Sequence, residues 1–239
     1  MKGFKVALLV GFSFICYNAN AVVSEEQQQL VEQAFSDLNS NNDGTKMLWQ
    51  YSQQTVMPDV TRIEQFNASL PETERWSLVS ENGDTPGKKR LTEYRERQQD
   101  LHEDKDETSY ELAFSDLIDL STLVFVGEDD NNMSFTFTPN IDELDNNALA
   151  GVLYLDKTSK HLRKIIIRNT DEINPAFSVT LTKFELELSF EVFEGLVMPA
   201  HTSTTIMGTA AIFKSLDSVQ TVTYSDYKRC RQQNYISLL

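Results

Sequence analysis

Cysteine is nearly absent from this chain: Cys16 and Cys230 are the only two in 239 residues, and no C-x-x-C pair exists to support redox chemistry. Glycine and proline are scarce, at 9 and 6, which excludes collagen-like and linker-rich architectures. The three histidines, His102, His161 and His201, have neither H-x-x-x-H nor H-E-x-x-H spacing, so zinc chemistry has no signature. Basic residues are in deficit: 21 Lys and Arg face 36 Asp and Glu, for a net charge of −15. Such a field repels phosphate backbones and excludes nucleic acid as a partner unless a local basic patch intervenes. No apolar run approaches the ~20 residues of a membrane-spanning helix. With no G-x-S-x-G elbow and no glycine-rich phosphate loop, no catalytic residue, metal site or cofactor is assigned, and a non-enzymatic role is expected. What the chain does have is 40% apolar and 10% aromatic residues, enough to build a core.

The first 21 residues have the pattern of an export signal. Lys2 and Lys5 precede an apolar stretch from Val6 to Ile15, and Ala19-Asn20-Ala21 supplies small residues at the −3 and −1 positions. Cleavage after Ala21 is expected, leaving residues 22–239 as a single soluble domain in the periplasm. Phe14-Ile15 before Cys16 lacks the small residue that normally precedes a lipidated cysteine. Cleavage removes two lysines and lowers the charge by two, to −17, and leaves Cys230 with no disulfide partner.

Beyond the signal the pattern is a helix followed mostly by strands. Ser24 and Gln27 have capping-box spacing, and Leu30, Val31, Ala34, Phe35 and Leu38 share one helical face before Asn39. Strands are expected at 45–54, 60–67 and 75–81. A charge-rich helix is expected between Thr85 and Lys105, with Leu91, Tyr94 and Leu101 on a narrow apolar seam, and a short helix at 109–118. Further strands are read at 121–127, 133–138, 151–156, 161–169, 177–193, 196–206, 208–214 and 219–229, joined by short turns that favour an antiparallel meander. Phe184, Leu186, Leu188 and Phe190 alternate with Glu185, Glu187, Ser189 and Glu191, so one side of that strand is apolar and the other solvated. Phe177, Val179 and Leu181 alternate in the opposite phase, and a β-bulge near Thr182 or Lys183 would bring both sets to one face.

Three local clusters have plain explanations. Glu128, Asp129 and Asp130, followed by Asn131-Asn132, fit a hairpin turn better than an acid/base pair. Asn39, Asn41, Asp43, Gly44 and Gln50 match EF-hand spacing, but amides occupy the positions where calcium wants carboxylates. Lys88, Lys89, Arg90, Arg95 and Arg97 form a basic cluster, read either as a flap for anionic headgroups or an acidic partner, or as a solvated helix face paired with Glu93, Glu96 and Asp100.

The order of an export signal, an amphipathic helix and a meander passing through Gly151-Val152-Leu153-Tyr154-Leu155-Asp156, Phe184 to Phe190, Gly195-Leu196-Val197-Met198-Pro199 and Tyr224-Ser225-Asp226-Tyr227 resembles the LolA-like family of periplasmic outer-membrane lipoprotein-sorting proteins. Leu70-Pro71-Glu72 to Trp76-Ser77-Leu78, with Asn82-Gly83 and Pro86, resembles an uncharacterised branch of that group rather than the carrier itself. The resemblance implies an α+β fold: a curved, half-open antiparallel β-barrel with helices packed in its concave mouth. It further implies a non-catalytic protein holding lipid or lipoprotein acyl chains, with a transient inner- or outer-membrane protein partner. On that reading Phe184, Leu186, Leu188 and Phe190 form the ligand-facing wall, and Leu91 and Tyr94 face it from the flap. The alternatives are an envelope structural or interaction protein with a filled core and, third, a hydrolase built from dispersed carboxylates.

Overall fold

The structure, a computed structural model, describes residues 21–40, 48–103, 117–141, 144, 146–211 and 214–230. Residues 1–20 of the signal segment therefore lie outside the described residues, as do residues 41–47 of the calcium-like run and 109–116 of the short helix.

Helix α1 (Glu25–Ser40) starts as its sequence dictates. The Ser24 amide donates to Gln27 Oε1 at 3.0 Å and the Gln27 amide donates back to Ser24 Oγ at 3.2 Å, which satisfies two otherwise orphaned donors. Its apolar stripe, Val31, Ala34, Phe35 and Leu38, is buried. Helix α2 (Lys88–Glu103) is far more polar and buries Tyr94, with Leu91 half-covered and Leu101 exposed.

Among the described residues thirteen strands form one antiparallel sheet: β1 (Ala21–Val22), β2 (Leu48–Met57), β3 (Val60–Asn67), β4 (Trp76–Glu81), β5 (Ile118–Glu128), β6 (Asn132–Pro139), β7 (Leu149–Asp156), β8 (Leu162–Asn169), β9 (Ile173–Ala176), β10 (Val179–Phe193), β11 (Leu196–Ala210), β12 (Lys214–Ser215) and β13 (Ser218–Cys230). The main path runs β1-β5-β6-β7-β8-β10-β11-β13-β2-β3-β4, with β9 paired to β10 and β12 to β11. The two ends of this path, β1 and β4, do not pair with each other, so the sheet is open.

The bulge expected near Thr182 is present. The β10–β11 register skips between Leu181 and Lys183, which lets Leu181 and Leu188 both point into the core despite their odd and even numbers. Gly208 faces this point across the ladder, and a Cβ there would overlap the Thr180 carbonyl oxygen; the close approach of the two backbones requires glycine. No break falls at Met207, and the expected strands at 196–206 and 208–214 are one strand ending at Ala210, with Gly208 in its interior. Other boundaries also move. Phe177 and Ser178 form the β9–β10 turn, with Ser178 at φ 70°. Ile118, expected to close a helix, opens β5, where its side chain joins the core.

Most of the core gathers around α1. Val31, Ala34, Phe35 and Leu38 pack with Phe135, Leu153, Leu155, Leu162, Ile165, Ile167 and Leu188 in one aliphatic cluster. At Gly151 a Cβ would overlap the Phe137 ring, which shows how closely that ring lies over its cross-strand neighbour. A second, smaller cluster is aromatic and centres on Trp49, Met198 and Tyr227.

Candidate ligand face of the sheet

Pairing register identifies which residues share a face. One row runs Leu153, Ile165, Leu188, Thr202, Val222, Thr55, Arg62, Glu81 across β7, β8, β10, β11, β13, β2, β3 and β4. Its first three members belong to the α1 cluster, and its last meets α2 through Arg90. Both helices therefore lie on the same face, α1 toward the β8 side and α2 over β3 and β4. Between them the row passes through Thr202, Val222 and Thr55, whose side chains are shorter; Val222 and Thr55 are buried and Thr202 is half-buried.

Under α2 the chemistry is ionic and aromatic. Glu81 accepts from Arg62 Nε at 2.8 Å and from Arg90 Nε at 2.7 Å, with Arg90 Nη2 at 2.8 Å. The three side chains are 21–24% exposed. Hydrogen bonds from the two guanidinium groups, Arg90 first, hold the Glu81 carboxyl down at about 2. The Tyr94 hydroxyl donates to Glu64 Oε1 at 2.7 Å, and burial followed by that carboxylate bond raises the phenol far above its ordinary value. Four residues along β2 and β3 and five along β4, Tyr51, Phe66 and Trp76 lie in register on the same face. Tyr51 and Phe66 stack with centroids 5.0 Å apart, and Phe66 and Trp76 are also 5.0 Å apart. Tyr224 and Tyr227 extend this floor at 5.9 and 5.4 Å from Tyr51. The indole N–H of Trp49 is buried without a hydrogen-bond acceptor, its ring set edge-on to Phe193 and Tyr227.

The residues singled out from sequence fall into two groups. Phe184, Leu186, Leu188 and Phe190 do share the helix-bearing face. Leu188 and Phe190 are buried in the α1 cluster at 8% exposure each, while Phe184 and Leu186 are half-buried at its margin. Leu91 and Tyr94 belong to α2 and cover β3 and β4, a different part of the sheet. The aromatic row of Tyr51, Phe66 and Trp76 and the Glu81 hub escaped sequence reading. The aromatic residues were visible, but only the β2–β3–β4 register aligns them.

The remaining clusters take the plain readings. Asp129 Oδ1 accepts from the Asn131 and Asn132 amides, both at 2.7 Å, and Glu128 meets Lys157 at 2.8 Å, as a hairpin turn requires. These bonds hold both carboxyls below their usual range. In the basic cluster, Lys89 approaches Glu93 at 3.8 Å, whereas Arg90 leaves the helix face for Glu81. His161 lies 3.8 Å from Asp37, and His201 Nδ1 is 3.2 Å from Thr223 Oγ1 on the opposite face of the sheet. Among the described residues no three His, Cys, Asp or Glu side chains come together as a metal set. No helix among them is long and apolar enough to cross a membrane. Two shallow polar grooves of about 490 and 450 Å³ lie on the face away from the helices, around Tyr154 and Lys164 and around Asn169 and Lys183.

The class defined by this geometry is an open, mostly antiparallel sheet carrying two helices on one face. No family model matches the sequence, and no curated protein does. Solved structures are similar over most of their length. A domain named for outer-membrane lipoprotein sorting from Vibrio parahaemolyticus has 9% identity, covering 87% of this chain and 95% of its own, with a TM-score of 0.33. A DUF1329 family protein from Desulfovibrio piger has 8% identity over 84% of this chain and 93% of its own, at 0.31. A LolA superfamily protein from Nitrosomonas europaea has 13% identity over 83% and 94%, at 0.29. Two of the three bear the names to which the sequence resemblance points. At these TM-scores the functional reading rests on the geometry of the chain itself.

Proposed function

We propose that this is an exported, non-catalytic binding protein of the periplasm that holds a lipid or lipoprotein acyl chain on the helix-bearing face of its open sheet. The observation that carries the reading is the strip of that face between the helices. There the aliphatic cluster ends at half-buried Phe184 and Leu186, and beyond Thr202, Val222 and Thr55 the half-buried rings of Tyr51, Phe66 and Trp76 begin. An acyl chain lying across this strip would gain about 0.8 kcal/mol for each methylene taken out of water, without any bond made or broken. Phe184 and Leu186 would form one wall and the aromatic floor the other, with Leu91 and Tyr94 on α2 acting as the flap. Leu188 and Phe190 sit deeper and would touch ligand only if α1 moved. A membrane protein that delivers or receives the chain would be the transient partner.

The test is to purify the protein from the periplasmic fraction, denature it and analyse the extract by mass spectrometry. Phospholipid or acylated peptide in near-stoichiometric amount is expected, with Val22 as the N-terminal residue. A lipid-free protein whose α2 amides exchange at the same rate with and without added fatty acid would overturn the proposal. That outcome would favour the second reading, an envelope interaction protein with a filled core, which the burial of Leu188 and Phe190 under α1 supports.

A further inference from the structure

The aromatic floor ends at a wedge in the sheet. Strands β11 and β13 pair from Ile206 and Ser218 as far as His201 and Thr223, so among the described residues Leu196 to Ala200 have no ladder partner on the β13 side. A register skip lies just past that point on each strand, after His201–Ser189 on the β10–β11 ladder and after Ser225 on β13. Trp49 sits in the opening, 7% exposed, enclosed by Tyr227 and by Phe193, Leu196 and Met198 of the β10–β11 hairpin. Its indole N–H is a buried donor without an acceptor. The Tyr227 hydroxyl already donates to the Pro199 carbonyl at 2.6 Å, and the side chains of Phe193, Leu196 and Met198 offer no oxygen. A donor left in this state costs free energy that a single acceptor atom would recover.

The hairpin end is fastened to β13 by that Tyr227–Pro199 bond and by Arg229 Nε on Glu194 Oε2 at 2.7 Å, with the two charged side chains 46% and 51% exposed. An ion pair so exposed holds weakly. Arg229 also lies over the Trp49 ring, its Cζ 5.7 Å from the centroid. Glu194 belongs to the turn that joins β10 to β11, so lifting the turn separates it from Arg229.

We infer that this hairpin end is a strap over the polar end of the ligand: when it lifts, Trp49 Nε1 donates to an oxygen at the head of the acyl chain, and Arg229, released from Glu194, faces the same oxygen. The inference rests on the acyl-chain reading and gives it an orientation, with the hydrocarbon over Tyr51 toward Leu186 and the head at Trp49. Trp49 adjoins the floor through Tyr227, whose ring lies 6.3 Å from Trp49 and 5.4 Å from Tyr51. The chemistry recognised is an acceptor oxygen, supplied by an ester carbonyl or by a phosphate.

The experiment is proton–nitrogen correlation NMR of the full chain, following the Trp49 indole N–H, which Trp76→Phe identifies by leaving it the only tryptophan. Palmitoyl lysophosphatidylcholine should move the indole proton downfield. Monopalmitoylglycerol keeps the carbonyl without the phosphate, and an ether-linked lysophosphatidylcholine keeps the phosphate without the carbonyl; a shift with either one supports the inference and names the oxygen. Trp49→Phe should bind roughly fivefold more weakly, with circular dichroism melting to confirm its fold. Glu194→Gln, a surface change that loosens the strap, should speed association several-fold and keep the indole shift. A lipid that slows α2 amide exchange but leaves the indole proton in place, or that a folded Trp49→Phe binds as tightly as the parent, overturns the inference while the acyl-chain reading stands. Lipids that alter neither signal overturn both.

Discussion

Under α1 the sheet is dry and aliphatic; under α2, on the same face, it is held by ions, hydroxyls and stacked rings. The difference follows from what each helix brings. Helix α1 offers Val31, Ala34, Phe35 and Leu38, and the strands beneath answer with Leu153, Ile165, Ile167 and Leu188. Helix α2 offers Arg90 and Tyr94, and β3 and β4 answer with Glu64 and Glu81. Apolar burial tolerates many geometries and is lost only by opening the core. Charge-assisted hydrogen bonds need one geometry and weaken when their protonation or partner changes. The first arrangement suits a permanent foundation and the second a cover that opens at low cost, which is the division of labour that ligand exchange would need.

The sharpest way to break this comparison is Leu188→Glu. It places a carboxylate among the apolar side chains of the α1 cluster and should cost about 3–5 kcal/mol, enough to unfold much of a domain of ordinary stability. Chemical denaturation measures it. A folded variant with unchanged midpoint would mean that the wall is wet and open, and would return Leu188 to the ligand-facing set.

A smaller effect is expected at the α2 hub. Glu81→Gln keeps the shape but removes the charge that both guanidinium groups share, and should cost about 1–2 kcal/mol. Its signature is local: amide exchange should quicken in α2 and stay slow in β7 and β8. The pH dependence has a defined sign. The carboxyl lies near 4.5 when unpaired and at about 2 in the fold, so its contribution is complete above about 4.5 and is lost as pH falls toward about 2. The stability gap between parent and Glu81→Gln should therefore narrow over that window, as thermal melts of the two proteins would reveal. A gap that stays constant would show that the carboxylate does no work there.

The smallest effect belongs to Lys89→Ala. Its partner Glu93 is 3.8 Å away and the lysine side chain is 93% exposed, so water and salt screen the pair and the change in midpoint should lie within about 0.3 kcal/mol. A larger loss would show that the basic face of α2 is a structural contact rather than a solvated surface.

How much of this was legible beforehand depended on the range of the forces involved. Ser24 and Gln27 announced the start of α1, because a capping box is completed within four residues. The two phases of alternation in β10 announced its bulge, because side-chain direction has a strict period of two. The hairpin at Glu128 to Asn132 was equally readable, since Asp129 finds its donors two and three residues on. The need for glycine at Gly208 was not, because only the Thr180 backbone across the ladder shows how closely the two strands approach there. Nor could alternation tell that Leu188 lies under α1 while Leu186 sits at the margin, because a core and a ligand wall use the same apolar residues. Register across strands far apart in sequence aligned Tyr51 with Phe66 and Trp76 and brought Arg62 and Arg90 together on Glu81. The sequence by itself determined the local elements and which side of each strand is apolar, because those depend on neighbours along the chain. Tertiary structure alone decided which helix covers which side and what faces water, because those depend on pairings between residues such as Arg62, Glu81 and Arg90 that the chain brings together only on folding.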